Sequence, residues 1–533
     1  MKSAYLAGVC LLSVLPTLGR AQSGSELQYA ESGRPRLLNP HINPTHTGPT
    51  DRLLSMIYEP LFRWNTDKEE FESVLARDIK KTTPRSTQAQ NRAYIIKLKE
   101  GVRWHNGQAF TAADVVFTYN FIKKWGRDED EKAVLGRQIV TIEKDGATEL
   151  QLYLELKPAT LGALDEHEAL QWRIIPANRF QNFQPLRPFL QDAPIGTGPY
   201  RWADTDGDSP RLVANPTYHD STKASLSPII SKEYTDAPTV ASELLTEGSR
   251  LGLVVDLPTS QFNAIEAEPT KVIVERLSSY KIHELAIRQW VGGTSPMNNI
   301  KVRQAIAMAI DRAKLLRTRF SDKGKLMSTP YAPNSSYFDA TFEGLPFDRE
   351  KATQTINDAG LRGYKLRLIA EKTRSINKQR DDDVLQDLRE QLEAIGLKVA
   401  VTQHESGEFE RLKNGEPNTW DVALVTIELD AVQDISKFFH SKSIRPGGYN
   451  FMQFKDAEVD NLFDRASGAQ DDAERKSLYV KAGRLIGSKV PAVFLVNEEP
   501  VYAYKRRFQI DRDDVDQFDF FTYAQKWRLR PRR

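Results

Sequence analysis

Leu366-Arg-Leu-Ile-Ala370, Val384-Leu-Gln-Asp-Leu-Arg-Glu-Gln-Leu-Glu-Ala-Ile395 and Val399-Ala-Val401 follow one another between Lys365 and Thr402. The outer two are short apolar runs. The middle one puts Leu385, Leu388, Leu392 and Ile395 on one side of a helix, and Gly396 supplies its stop. A helix between two short strands predicts a parallel βαβ unit, because parallel neighbours need a crossover and a helix commonly provides it. Such a unit belongs in an α/β domain.

Upstream, the positions Val302, Ala305, Ile306, Ala309 and Ile310 recur at helical spacing after the turn Pro296-Met-Asn-Asn299. Before them, a β-rich stretch runs to about Val274, opened by Pro194-Ile-Gly-Thr-Gly-Pro-Tyr200, whose composition suits a tight, preshaped loop. Alternation over 147–156 and the amphipathic run Tyr94-Ile-Ile-Lys-Leu-Lys99 predict two further strands. Thr111-Ala-Ala-Asp114 resembles a capping box that opens a helix with Val115, Tyr119 and Ile122 on one face and Gly126 as its stop. Nearer the start, a strand after Ser25 leads through the polar loop Asn39-Pro-His-Ile-Asn-Pro-Thr-His-Thr-Gly48 into an apolar helix ending near Tyr58. No short-period repeat is present, which disfavours solenoids and propellers.

A chain of 533 residues exceeds what one core usually organises, so several lobes are expected. Apolar residues make up 40% and charged residues 27%, within the globular range. The 74 basic and 72 acidic side chains nearly cancel, giving no global reason to expect nucleic acid or an anionic membrane as partner. Met1-Lys2, the apolar run Ala4 to Leu18 and the small residues around Gly19-Arg20-Ala21 read as a secretory signal peptide over residues 1–21. The sole cysteine, Cys10, lies inside it, so cleavage leaves a mature protein without disulfides. A lipoprotein signal at Leu6-Ala-Gly-Val-Cys10 is the alternative, but the apolar region before Cys10 is short for one.

The chain has no P-loop, HExxH, paired CxxC or GxSxG motif, and Gly196-Thr-Gly198 lacks the third glycine of a dinucleotide fingerprint. Of eight histidines only His41 and His46 are near neighbours, at a spacing that fits neither a helical nor an established zinc pair. Asp381-Asp-Asp383 at a helix start is explained by the helix dipole, and the basic tail Arg528-Leu-Arg-Pro-Arg-Arg533 reads as a solvated terminus. No cofactor or metal is implied.

Seven blocks, taken in order, resemble the extracellular solute-binding proteins of family 5, which serve dipeptide, oligopeptide and nickel ABC importers. They are Leu38-Asn-Pro40; Ile57-Tyr-Glu-Pro-Leu61; Gly101-Val-Arg-Trp-His-Asn-Gly107 with Phe110-Thr-Ala-Ala-Asp-Val115; Pro194 to Tyr200; Val302 to Arg312; Phe347 to Ala352 with Asp358 to Leu361; and Asp456 to Asp460. The resemblance implies a type II periplasmic-binding-protein-like α/β fold, with two hinged lobes and an extra subdomain in the first. Lobe I is expected to hold residues 22–55, 191–279 and 496–533, the subdomain 56–190, and lobe II 280–495. It further implies a periplasmic, monomeric, non-enzymatic receptor that binds a short peptide between its lobes and hands it to ABC permease subunits. Nickel, a metal chelate, a sugar or an opine on the same scaffold, or an exported hydrolase, are the alternatives.

For ligand contacts, relatives that bind peptides use an acidic residue after a late strand of the second lobe to pair the peptide ammonium, which points to Asp430. The stretch here lacks the tyrosine and proline seen in those relatives. Arg374, beyond the strand ending near Ala370, is the candidate partner for the ligand carboxylate. Trp290, with Arg288 and Gln289, either walls the cleft or packs at the hinge. His46, Thr47 and Gly48 are candidates for the opposite wall.

Overall fold

The computed structural model describes residues 25–35, 38–41, 48–65, 70–88, 91–125, 139–146, 148–157, 169–182, 193–277, 279–372, 377–415, 419–428, 435–444, 448–469, 471–515 and 520–531. Three larger sheets organise them, beside two of two strands each. The first has seven strands in the order Val272–Arg276, Val501–Lys505, Leu251–Val254, Leu27–Glu31, Ile229–Glu233, Ser209–Ala214 and Tyr200–Asp206. Leu27–Glu31 runs parallel to both its neighbours at the centre. All five of its residues are buried, as a strand covered on both faces requires. Tyr29, Tyr200, Phe521 and Trp527 pack on one side, Val240, Leu244 and Phe262 on the other.

The second sheet has the order Gly324–Leu326, Ala492–Glu498, Lys281–Ile287, Val422–Glu428, Lys365–Glu371 and Lys398–His404. Alternation along Lys281–Ile287 sends Ile282 and Ala286 into one core and Leu285 and Ile287 into another, so this sheet too carries two covered faces. The opening stretch of the sequence forms the expected unit: Lys365–Glu371 pairs parallel with Lys398–His404, joined through the helix Lys378–Glu393. That helix starts six residues earlier than its apolar face suggests. Its first turn is polar and is held by a Lys378–Asp382 ion pair that apolar periodicity does not register. Gly396, at φ 95°, ends the helix as expected.

The third sheet, Ala76–Thr82, Arg92–Leu98, Gln151–Leu156 and Ile139–Lys144, packs on the helix Ala112–Trp125. Val115, Tyr119 and Ile122 face its core, while Gly126 lies outside the described residues. The Thr111–Asp114 cap is only half a capping box. Asp114 Oδ2 accepts from the Thr111 amide at 3.0 Å, but the Thr111 hydroxyl donates to that same carboxylate. Asp114 also accepts from the Ala177 amide and the Trp104 indole, so it ties the helix to two other segments. Gln151–Leu156 does not alternate between exposed and buried positions: Leu152, Leu154 and Leu156 enter the core, and Glu155 is buried on the other face by Ser86 and Asn91.

Two crossings join the first and second sheets, from Arg276 to Lys281 and from Glu498 to Val501. They are bonded to each other by the Leu277 amide, which donates to the Pro500 carbonyl at 2.9 Å. Buried Asn497 spans the first crossing, its amide donating to the Ser279 and Lys281 carbonyls at 2.8 Å each. Among the described residues no helix is long and apolar enough to cross a membrane.

Candidate functional site

A cavity of about 350 Å³ opens beside these crossings, between the first and second sheets. Its lining gathers at the carboxyl ends of parallel strands, where α/β folds place ligands. Ser32 follows Leu27–Glu31 and Asp256 follows Leu251–Val254. Glu371, Gln403 and Thr426 end or nearly end three strands of the second sheet. The volume lies at the lower end of the range common for small-molecule sites, ~300–1,000 Å³.

On the floor, Glu498 meets His283 Nε2 at 2.9 Å and forms an ion pair with Arg380. The Thr426 hydroxyl lies 3.0 Å from His283 Nδ1, so a ring carrying its proton on Nε2 satisfies both nitrogens. Arg380 also binds Asp381 at 2.8 Å and lies 5.1 Å over the Phe320 ring. Burial alone would push the Glu498 carboxyl up, but Arg380 and then His283 outweigh it and hold the group well below the usual carboxylate range. Burial likewise works against the Arg380 charge, and Glu498 and Asp381 more than restore it.

One wall carries Lys413, its ammonium 2.6 Å from Glu410 and 5.0 Å from the Phe451 ring centre. The opposite wall carries Asp256, 3.3 Å from the half-buried Arg52. The cavity thus presents charges of both signs from the second sheet's side and a carboxylate from the first, an environment suited to a small ligand that itself carries both signs. Among the described residues no group of three or more His, Cys, Asp or Glu side chains is placed to hold a metal ion.

Of the residues selected from sequence, Asp430, Arg374, His46 and Thr47 lie outside the described residues. Their described neighbours Glu371, Asn377 and Thr426 do line the cavity. Gly48 is described: it precedes the helix Pro49–Ser55 at φ 101° and is not part of the lining. Arg288, Gln289 and Trp290 are not brought to the cavity either. They follow the end of Lys281–Ile287 opposite Lys281, about 23 Å along the strand at ~3.3 Å per residue. Arg288 instead donates to the Lys413 and Gly415 carbonyls at 3.0 and 2.8 Å and lies 5.0 Å over Trp420; burial lowers its pKa to about 10. The Gln289 amide donates to the Met452 carbonyl, and the Trp290 ring folds over Gly293.

Sequence reasoning missed Asp256, Lys281, His283, Arg380, Lys413 and Glu498. A signal was present for two of them. Asp256-Leu-Pro258 and Glu498-Glu-Pro500 each put an acid at the end of an apolar strand, two residues before a proline that breaks it.

The model of the bacterial extracellular solute-binding proteins, family 5, matches residues 70–445. The oligopeptide-binding protein AppA of Bacillus subtilis (strain 168) is 26% identical over 91% of this chain and 88% of its own length. The structure of AppA from Bacillus subtilis in complex with a nonapeptide superposes with a TM-score of 0.79 at 21% identity, covering 96% of this chain and 99% of that one. NikZ from Campylobacter jejuni in complex with Ni(L-His) gives a TM-score of 0.75 at 20% identity over 95% and 99% of the two chains. These two likenesses agree on two α/β lobes, and with the family match over most of the sequence they place the chain among the extracellular solute-binding proteins of family 5.

Proposed function

We propose that this chain is the exported receptor of an ABC import system, which captures a short peptide between its lobes and passes it intact to membrane permease subunits. The observation that carries this reading is the cavity at the crossings, walled by both sheets and furnished with carboxylates and cations together. A peptide needs both, one for its ammonium and one for its carboxylate. The oligopeptide-binding relative supports the choice of ligand class.

On this reading Asp430 receives the ammonium and Arg374 the carboxylate, each following in sequence a strand whose end reaches the cavity. Lobe I comprises residues 22–55 and 191–279 with 56–190 as its added subdomain, and lobe II begins at 280. Lobe I resumes at 496, close to where the last strand of the second sheet ends at Glu498. The mature protein is periplasmic after loss of residues 1–21, monomeric and free of catalytic activity. Incubating it with a mixed peptide pool and analysing the bound fraction by mass spectrometry tests this directly. Stoichiometric recovery of intact peptides is expected; turnover of an excess, or a bound fraction without peptide, overturns it.

A further inference from the structure

We propose that Asp256 anchors a cationic side chain of the ligand, so that the cleft favours peptides carrying lysine or arginine. This deepens the peptide reading and rests on it. Asp256 stands two residues beyond Leu251–Val254, in the cavity wall, with its side chain 32% exposed. Its Oδ2 lies 3.3 Å from Arg52 Nη2, and Oδ1 has no hydrogen-bond partner among the described residues.

Arg52 does not neutralise it. The same guanidinium places Nε and Nη2 each 2.9 Å from Glu31, which is buried beneath the wall. One cation therefore serves two carboxylates, and of those two only Asp256 reaches the cavity.

The rest of the lining does not supply the missing charge. Arg380 is matched by Asp381 and Glu498, Lys413 by Glu410, and Lys281 acts on Glu498. Glu371 adds a further acid. Among the described lining residues the surplus is negative, and on the first sheet's side it is concentrated at Asp256. A carboxylate in a partly desolvated wall forms its strongest pairing with an ammonium or guanidinium, through a charge-assisted hydrogen bond. Asp256 is also well placed to hold such a group firmly, because the next residue, Leu257, donates its amide to the Val501 carbonyl at 2.7 Å, beside the second crossing.

The test uses tripeptides with a central lysine, norleucine or glutamate between alanines, and an N-acetylated form of the lysine peptide. Each is titrated calorimetrically into the mature protein and into Asp256→Asn, with circular dichroism confirming that both are folded. The lysine peptide should bind at least about tenfold more tightly than the norleucine peptide, and the glutamate peptide most weakly. Asp256→Asn should bring lysine down to the norleucine value and leave norleucine unchanged. Equal wild-type affinities for lysine and norleucine overturn the inference. So does an equal loss for both peptides in Asp256→Asn, which, with abolition by acetylation, assigns Asp256 to the α-ammonium instead. Either result leaves peptide capture standing; no binding of any peptide by the folded protein overturns that reading as well.

Discussion

Glu284 sits at the middle of Lys281–Ile287, paired with Val425 on one side and Phe494 on the other, and is completely buried. Neither carboxylate oxygen has a hydrogen-bond partner among the described residues. Burial pushes its pKa from the usual 4.5 up to about 8, against a smaller opposing influence of Lys413. Below about pH 4.5 the group is protonated in both the folded and the unfolded chain, and pH has no effect through it. Between about 4.5 and 8 the unfolded chain gives up the proton while the folded chain keeps it, so stability falls as pH rises. The full difference amounts to about 5 kcal/mol above pH 8, of which about 3 kcal/mol is in force at pH 7. Glu284→Gln keeps the shape and removes the titration. Urea unfolding followed by tryptophan fluorescence should therefore show variant and wild type nearly equal at pH 4. At pH 7 the variant should be more stable by about 3 kcal/mol, and by more at pH 9. Parallel stability curves for the two proteins from pH 4 to 9 would refute the reasoning, since a carboxyl that titrates alike in both states cannot be desolvated in one of them.

Glu498→Gln should act in the opposite direction. It leaves the largely covered Arg380 with only Asp381 to balance it, a loss of about 3 kcal/mol at pH 7. Because the Glu498 carboxyl is held well below its usual range, the stability it supplies is fully present above about pH 4.5 and declines steadily on acidification below it, so the gap between the two proteins in urea unfolding should narrow as pH falls below about 4.5. Gly196→Ala should prevent stable folding or cost more than about 3 kcal/mol, because a Cβ there collides with the Ile57 backbone carbonyl; thermal melting checks this. Trp290→Ala should leave ligand affinity within about twofold of wild type by calorimetry, since the ring covers Gly293 at the strand end far from the cavity.

The scaffold was legible where local chemistry dictates local structure. Asp456 caps its helix by accepting from the Glu458 and Val459 amides, and Asp348 does the same for Lys351, both inside blocks that resemble the family. Gly196 and Gly198 were visible as a tight loop; their physical reason, close passage over the Met56 and Ile57 carbonyls, required the fold. Apolar periodicity located Lys378–Glu393 but lost its first turn, whose residues face solvent or, as Arg380 and Asp381 do, the cavity rather than the core. Buried Glu155 broke the expected alternation because its polar partners, Ser86 and Asn91, come from a segment more than sixty residues away.

The site was illegible for a related reason. Asp256, His283, Arg380, Lys413 and Glu498 come from distant parts of the chain, and apart from the prolines that follow Asp256 and Glu498 nothing in their own sequence neighbourhoods marks them. Trp290 looked important as a large aromatic near the entry to the second sheet. Strand direction, however, carries the chain away from the cleft between Lys281 and Arg288, and direction depends on pairing with Val422–Glu428 and Ala492–Glu498. What makes the cavity a recognition surface is the division of charge between sheets. Arg52 and Asp256 belong to the first sheet's side, Arg380, Lys413 and Glu498 to the second, and the two crossings join the sheets that carry them. On the peptide reading, a ligand that touches Asp256 with one group and the second sheet with another makes both contacts only when the lobes are close. Its differential affinity for the closed arrangement is then the quantity that drives closure, and removing either charge set should weaken closure together with binding.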